Sequence, residues 1–146
     1  DDVIENVKAI REFSGDRAVL RAFHFFEENK RVDAEVEALE KKDFATFFNK
    51  ITESGDSSWK WLQNCYCNET PDEQSITVAL ALTKLYLDKI GRGVCRVHGG
   101  GFAGVIAAFL PKEETAGFTK YIDKALGEGS AYVMHIRPQG AVKVEF

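Results

Sequence analysis

After Asp16, apolar residues return every three or four positions. Val19, Ala22, Phe23, Phe26, Val32, Val36 and Leu39 approximate one stripe, and the pattern predicts a helix running unbroken to Lys42, about 40 Å long. Asp16 is its expected N-cap. Asp43 is placed to cap a second helix whose inward residues are Phe44, Phe47, Phe48 and Ile51, with Ser54-Gly55 as its stop and a loop through Asp56. Ser57 then opens a shorter helix carrying Trp61, Leu62 and Cys65 on its apolar side. In Thr70-Pro71-Asp72-Glu73, Thr70 caps, Pro71 takes the first helical position and Glu73 reaches back to the Thr70 backbone. The fourth helix launched there buries Ile76, Ala79, Leu80, Thr83, Leu87 and Ile90, and Gly91 suits the left-handed residue that ends it.

At Gly93 the period changes. Val94-Cys95-Arg96-Val97-His98 reads as a strand that leads through three glycines into the apolar run from Val105 to Leu110, and so continuous an apolar strand is expected at the centre of its sheet. A helix from about Lys112 to Leu126 follows, with Phe118, Ile122 and Leu126 inward and Gly127 as stop. Tyr132 to Ile136 and Ala141 to Phe146 read as two closing strands joined by Arg137-Pro138-Gln139-Gly140. Val142, Val144 and Phe146 alternate there with Lys143 and Glu145, the pattern of a sheet with one wet face. Helices first, then hairpin, helix and hairpin, predict an α+β class: an antiparallel four-stranded sheet covered by helices, one domain over residues 1–146. The chain has no internal repeat and no low-complexity segment.

Composition narrows the function classes. A net charge of −4 from 19 basic and 23 acidic residues, without runs of like charge, argues against a nucleic-acid surface. Cys65, Cys67 and Cys95 are an odd number, and the Cys-x-Cys spacing lacks the second ligand pair of a zinc site, so they read as reduced thiols of a cytoplasmic protein. No stretch approaches the roughly 20 apolar residues of a membrane span. The start, Asp1-Asp2-Val3-Ile4-Glu5, is too acidic for a signal peptide. An acidic start without methionine suggests a chain cut from a longer one.

Candidate chemistry concentrates in Arg96-Val97-His98-Gly99-Gly100-Gly101-Phe102-Ala103-Gly104, where four glycines fall within six positions between two strands. Bare backbone N–H groups in such a turn can form a nest for phosphate oxygens, and the missing side chains let a ligand approach the main chain. A hairpin whose glycines serve only twist and bulge geometry fits the pattern equally well. The spacing is neither Walker A nor the dinucleotide fingerprint.

The stretch resembles the third signature of the galactokinase, homoserine kinase, mevalonate kinase and phosphomevalonate kinase superfamily, Gly-Gly-Gly-Phe-Gly-Gly in galactokinases, with Ala103 in place of one glycine. Arg21-Ala22-x-His24 with Glu28 and Arg31 is similar to the long-helix segment of galactokinases. Glu53-Ser54-Gly55-Asp56-Ser57-Ser58 stands where many have Ser-His-x-Ser-Leu, with Gly55 replacing the histidine and Ser58 the leucine. Gly127-Glu128-Gly129-Ser130-Ala131-Tyr132-Val133 followed by Arg137-Pro138 resembles the close of the bacterial enzymes. The resemblance implies a ferredoxin-like C-terminal domain of a kinase that uses ATP and Mg²⁺ to phosphorylate the C1 hydroxyl of galactose. It also implies that Gly99, Gly100, Gly101, Phe102, Ala103 and Gly104 line the substrate and phosphate cleft. The family's Gly-Glu-His-x-Asp and Pro-x-Gly-x-Gly-Leu-Ser-Ser-Ser signatures do not occur in this sequence, and its catalytic aspartate and arginine belong to that other half. Galactose and ATP are therefore expected to bind only together with an N-terminal domain, and the chain alone is expected to be inactive.

Arg96 and His98 alternate onto one strand face and are possible phosphate-facing groups; a surface or interdomain contact is the alternative. His24 is expected as a packed histidine of an aromatic helix and His135 as an ordinary strand residue. Trp59, Trp61 and Tyr66 read as core at helical spacing, with a sugar-stacking cluster as the alternative. Gly100→Val is expected to distort the hairpin through positive φ. An exposed former interface around Phe102 and the long helix would give weak self-association. A freestanding ferredoxin-like module binding sugar or nucleotide, or another small-molecule kinase of the superfamily, are the competing functional readings.

Overall fold

The structure, a computed structural model, describes residues 2–102, 104–140 and 142–143. Two compact units divide the chain, one up to Pro111 and one from Lys112.

The first unit opens with α1 (Asp2–Glu5) and α2 (Val7–Ser14), followed by the long α3 (Asp16–Glu40). Gly15, at φ +80°, holds the N-cap position of α3, and Asp16 is its first helical residue, paired with Arg11. The sequence stripe runs inward only in part. Val19 and Ala38 are buried and Ala22 and Phe23 half-buried, whereas Phe26, Val32, Val36 and Leu39 face outward. Asp43 caps α4 (Phe44–Ser57) by accepting from the Thr46 backbone at 3.0 Å.

Ser54-Gly55 does not end α4; the helix continues to Ser57 and passes into a π-helical turn, Ser58–Leu62, that closes at Gln63 in the left-handed region. The reason is tertiary. A Cβ at Gly55 would stand 3.0 Å from the Arg96 Cβ, so this glycine lets β1 (Val94–His98) cross the helix closely. The fourth helix, α5 (Ser75–Ile90), starts later than the Thr70 signal, which makes a turn instead, Glu73 N–H donating to the Thr70 carbonyl at 3.0 Å. Its inward face holds Ile76, Leu80, Thr83 and Leu87 as expected, and Gly91 ends it at φ +68°.

β1 pairs antiparallel with β2 (Val105–Phe109), from Val94 opposite Phe109 to His98 opposite Val105. Cys65, Ile76, Leu80 and Val97 form the core beneath this hairpin, with Tyr66, Cys95 and Ile106 packed on it. Phe47 and Phe48 of α4 meet Phe109 of β2 at ring-centroid distances of 6.4 and 6.3 Å.

The second unit holds a 3₁₀ turn (Lys112–Glu114) and α6 (Thr115–Leu126), which buries Phe118 and Ile122 and stops at Gly127. The expected four-stranded, helix-covered α+β sheet is not what forms. The chain is mostly helical (62%), and the described residues hold one sheet of two antiparallel strands. Residues 132–136 adopt no regular structure, and Tyr132, Val133, Met134 and Ile136 are exposed. Of the last expected strand, Val142 and Lys143 are irregular, while Ala141, Val144, Glu145 and Phe146 lie outside the described residues. Alternation records a local preference, but a strand exists only where a neighbour completes its hydrogen bonds, and the sheet among the described residues is made of β1 and β2. Among the described residues, no helix is long and apolar enough to cross a membrane.

Candidate functional site: a seated glycine turn

The turn between β1 and β2 has two different sides. On one it is clamped to Asn64, a buried residue just beyond the π-helical turn. The Phe102 N–H donates to the Asn64 carbonyl at 2.7 Å, and Asn64 Nδ2 donates to the Gly100 carbonyl at 3.4 Å. Gly101, at φ +76°, lies so close that a Cβ would stand 2.2 Å from the Asn64 carbonyl oxygen. The Gly104 N–H closes the turn onto the Gly101 carbonyl at 3.0 Å. On the other side, a Cβ at Gly99 or Gly100 would meet no atom within 4 Å. The main chain there is open to an approaching ligand, the condition a backbone anion nest needs.

Positive φ is found at Gly99 (+72°), Gly101 (+76°) and Phe102 (+57°), not at Gly100. The expected distortion by Gly100→Val therefore loses its stated cause; Gly101 is the glycine whose φ and packing both exclude a side chain. Phe102 is half-exposed, and Ala103 lies outside the described residues.

His98 is exposed at the end of β1, against the turn. Arg96 is half-buried and its guanidinium is engaged elsewhere: Nη1 donates to Ser54 Oγ on α4 and to Glu28 Oε1 on α3, the latter at 3.2 Å, and Nε donates to the Val97 carbonyl at 2.9 Å. Ser54, completely buried, donates to Glu28, and Arg31 Nε adds a 2.8 Å contact to the same carboxylate. Burial pushes the Glu28 pKa up, but the Ser54 and Arg31 hydrogen bonds and the Arg96 and Arg31 charges outweigh it and hold it below the usual carboxylate value. Burial raises the Glu35 carboxyl, which Arg96 and Arg31 lower and Glu28 raises further. His24 Nδ1 lies 3.0 Å from Ser57 Oγ, and burial holds its pKa down. The polar cluster thus ties α3, α4 and β1 together immediately below the turn.

Asn64 was invisible as a site residue in the sequence, because it reads there as an interior position of a helix expected to carry Trp61, Leu62 and Cys65, whereas the helical turn stops at Leu62. Trp59 and Trp61 are about one-third exposed, and the Trp61 ring lies 6.4 Å from that of Phe23. Arg17 Nη2 donates to the Gln63 carbonyl at 3.0 Å and anchors the segment that seats the turn. Cys65, Cys67 and Cys95 are free thiols, with burial raising the pKa of Cys65 and Cys95. Comparison with protein-family models, curated proteins and solved structures gives no match.

Proposed function

We propose that this chain supplies one wall of the phosphoryl-transfer cleft of a sugar kinase of the galactokinase type, with the open face of the Gly99–Gly104 turn toward the transferring phosphate. The observation that carries this reading is the two-sided turn: Gly99 and Gly100 leave bare main chain exposed while Asn64 holds the opposite side rigid. Fixed N–H donors aimed at developing negative charge stabilise a phosphoryl transition state without reorganising.

In the complete reaction the C1 hydroxyl oxygen of galactose forms a bond to the γ-phosphorus of ATP. The bond to the ADP oxygen breaks, and the hydroxyl proton passes to a base outside this chain. Mg²⁺ takes oxygen ligands, usually carboxylates and phosphates. The turn offers N–H donors and no carboxylate, and no cluster of metal-ligating side chains occurs among the described residues. These residues fit the phosphate and not the metal, so no step is assigned to Mg²⁺ here.

The test is galactose-dependent ADP release by the chain alone and by the chain joined to a domain carrying the two other superfamily signatures. Turnover is expected only in the joined protein, and Gly100→Val, at an open position without positive φ, should cut it at least tenfold while thermal unfolding still shows a folded hairpin. Absence of turnover in both, with calorimetric binding of galactose or ATP retained, would replace the kinase by the freestanding binding module.

A further inference from the structure

Along one flank of α6, within the second unit, opens a shallow cavity of about 780 Å³, the size of a small-molecule site. Its far wall includes Val133, and the segment leading to it is held in place by the Ala131 N–H, which donates to Asp123 Oδ1 at 3.1 Å. Lys112, Lys120 and Lys124 line the near wall, and none of them forms an ion pair among the described residues. Thr115 and Thr119 stand between them, half-buried, with hydroxyls that have no hydrogen bond among the described residues. Lys120 and Lys124 are one helical turn apart, a like-charged pair that repels. Asp123 is the carboxylate of this lining, and part of its accepting capacity is spent on Ala131; Glu113 and Glu114 follow Lys112 in sequence but do not line the cavity. Three ammonium groups against one carboxylate leave a local positive excess on a chain whose net charge is −4.

We infer that this groove binds a small organic phosphate monoester. The three lysines and two threonines present donors that lack acceptors, and a phosphate monoester brings three acceptor oxygens and close to two negative charges. Lysine meets such a group as a point charge and needs no bidentate geometry. An anion seated between Lys120 and Lys124 also removes their repulsion. A divalent cation is the wrong ligand, because it needs several oxygen donors and this lining offers one carboxylate among three cations. The organic part of the ester has its own place: Ala116 on α6 and Val133 on the far wall give the groove an apolar margin. The lysines are exposed and water reaches the site, so the affinity is modest. The inference is independent of the kinase reading, since it uses no residue of the glycine turn.

Amide chemical-shift titration of the 146-residue chain with phenyl phosphate tests it, at low salt and about pH 7.5, where the ester is a dianion. Saturation with a dissociation constant of about 1 mM or below is expected, with the largest shifts at Thr115, Thr119 and Lys120. Inorganic phosphate should bind about threefold more weakly, because it forgoes the contact with Ala116 and Val133, and Val133→Ser should narrow that difference. Lys120→Gln with Lys124→Gln should weaken binding about tenfold at unchanged helical circular dichroism, whereas Lys89→Gln on α5 should leave it within about twofold. Failure to saturate by about 20 mM, or an equal loss from Lys89→Gln, means an adventitious ion only and overturns the inference. Tighter binding of a hexaglutamate peptide than of phenyl phosphate overturns the ligand class.

Discussion

Thr83 carries a hydroxyl into a completely buried position on α5, where its Oγ1 has no hydrogen-bond partner among the described residues. A buried unpaired hydroxyl forfeits its bond to water and gains nothing back. Thr83→Val replaces it with a methyl group of the same shape and is expected to stabilise the fold by about 1 kcal/mol, seen as a higher urea midpoint with unchanged slope. A lower midpoint would mean that the hydroxyl finds a partner in solution. Sequence reading placed Thr83 correctly on the buried side of its helix, because position follows from the 3.6-residue period. The fate of its hydroxyl depends on which atoms surround it, and no local pattern records that.

At the scale of elements, the β1–β2 hairpin separates two kinds of glycine that look identical in the sequence. Gly99 and Gly101 both have positive φ, but only Gly101 is pressed against Asn64. Gly99→Ala is expected to cost about 1 kcal/mol, the strain of a left-handed residue alone. Gly101→Ala adds a clash with backbone and should cost about 3 kcal/mol. Equal midpoints for the two variants in chemical denaturation would show that the turn is not seated on Asn64. The hairpin strands and the helices α3, α4 and α6 were legible from their periods, and of the N-caps read there Asp43 holds, whereas Gly15 and not Asp16 caps α3. The run of α4 through Gly55 was not: glycine signals a stop locally, whereas here it admits the Arg96 strand at close range. Likewise the outward turn of Phe26, Val32, Val36 and Leu39 on α3 contradicts the single inward stripe read from hydrophobicity. An apolar side chain declares a preference for burial without saying which body buries it.

At the scale of the whole molecule, the polar cluster joining α3, α4 and β1 makes stability depend on pH. The His24 pKa is depressed by burial, raised by Glu28 and lowered further by Arg31 and Arg96. Neutral His24 therefore contributes stability that is complete above about pH 6.5, its unfolded value, and is lost as pH falls through the depressed folded value. Glu28, also depressed in the fold, contributes stability that is complete above about pH 4.3 and is lost as pH falls through its lower folded value. Glu35 opposes both: its raised pKa means that lowering the pH through that value relieves a buried charge. The urea midpoint is expected to fall between about pH 7 and 5.5 in the native sequence and to fall less in His24→Gln, with Glu28→Gln less stable at pH 7 and flatter below about pH 4.5. Parallel pH profiles for all three proteins would sever the cluster from stability.

The sequence by itself determined the places of α3, α4, α5 and the two hairpin strands, the cap at Asp43 and the stop at Gly91, and it marked the glycine turn as the stretch of candidate chemistry. Those are properties of short windows, set by side-chain period and backbone freedom. Only tertiary structure decided that the hairpin stays two-stranded, that Arg96 is engaged by Glu28 and Ser54 beneath the turn, and that Asn64 seats one side of the turn while the other stays open. Each of these depends on groups separated by tens of residues, whose contacts arise when packed elements meet and leave no periodic trace in the chain.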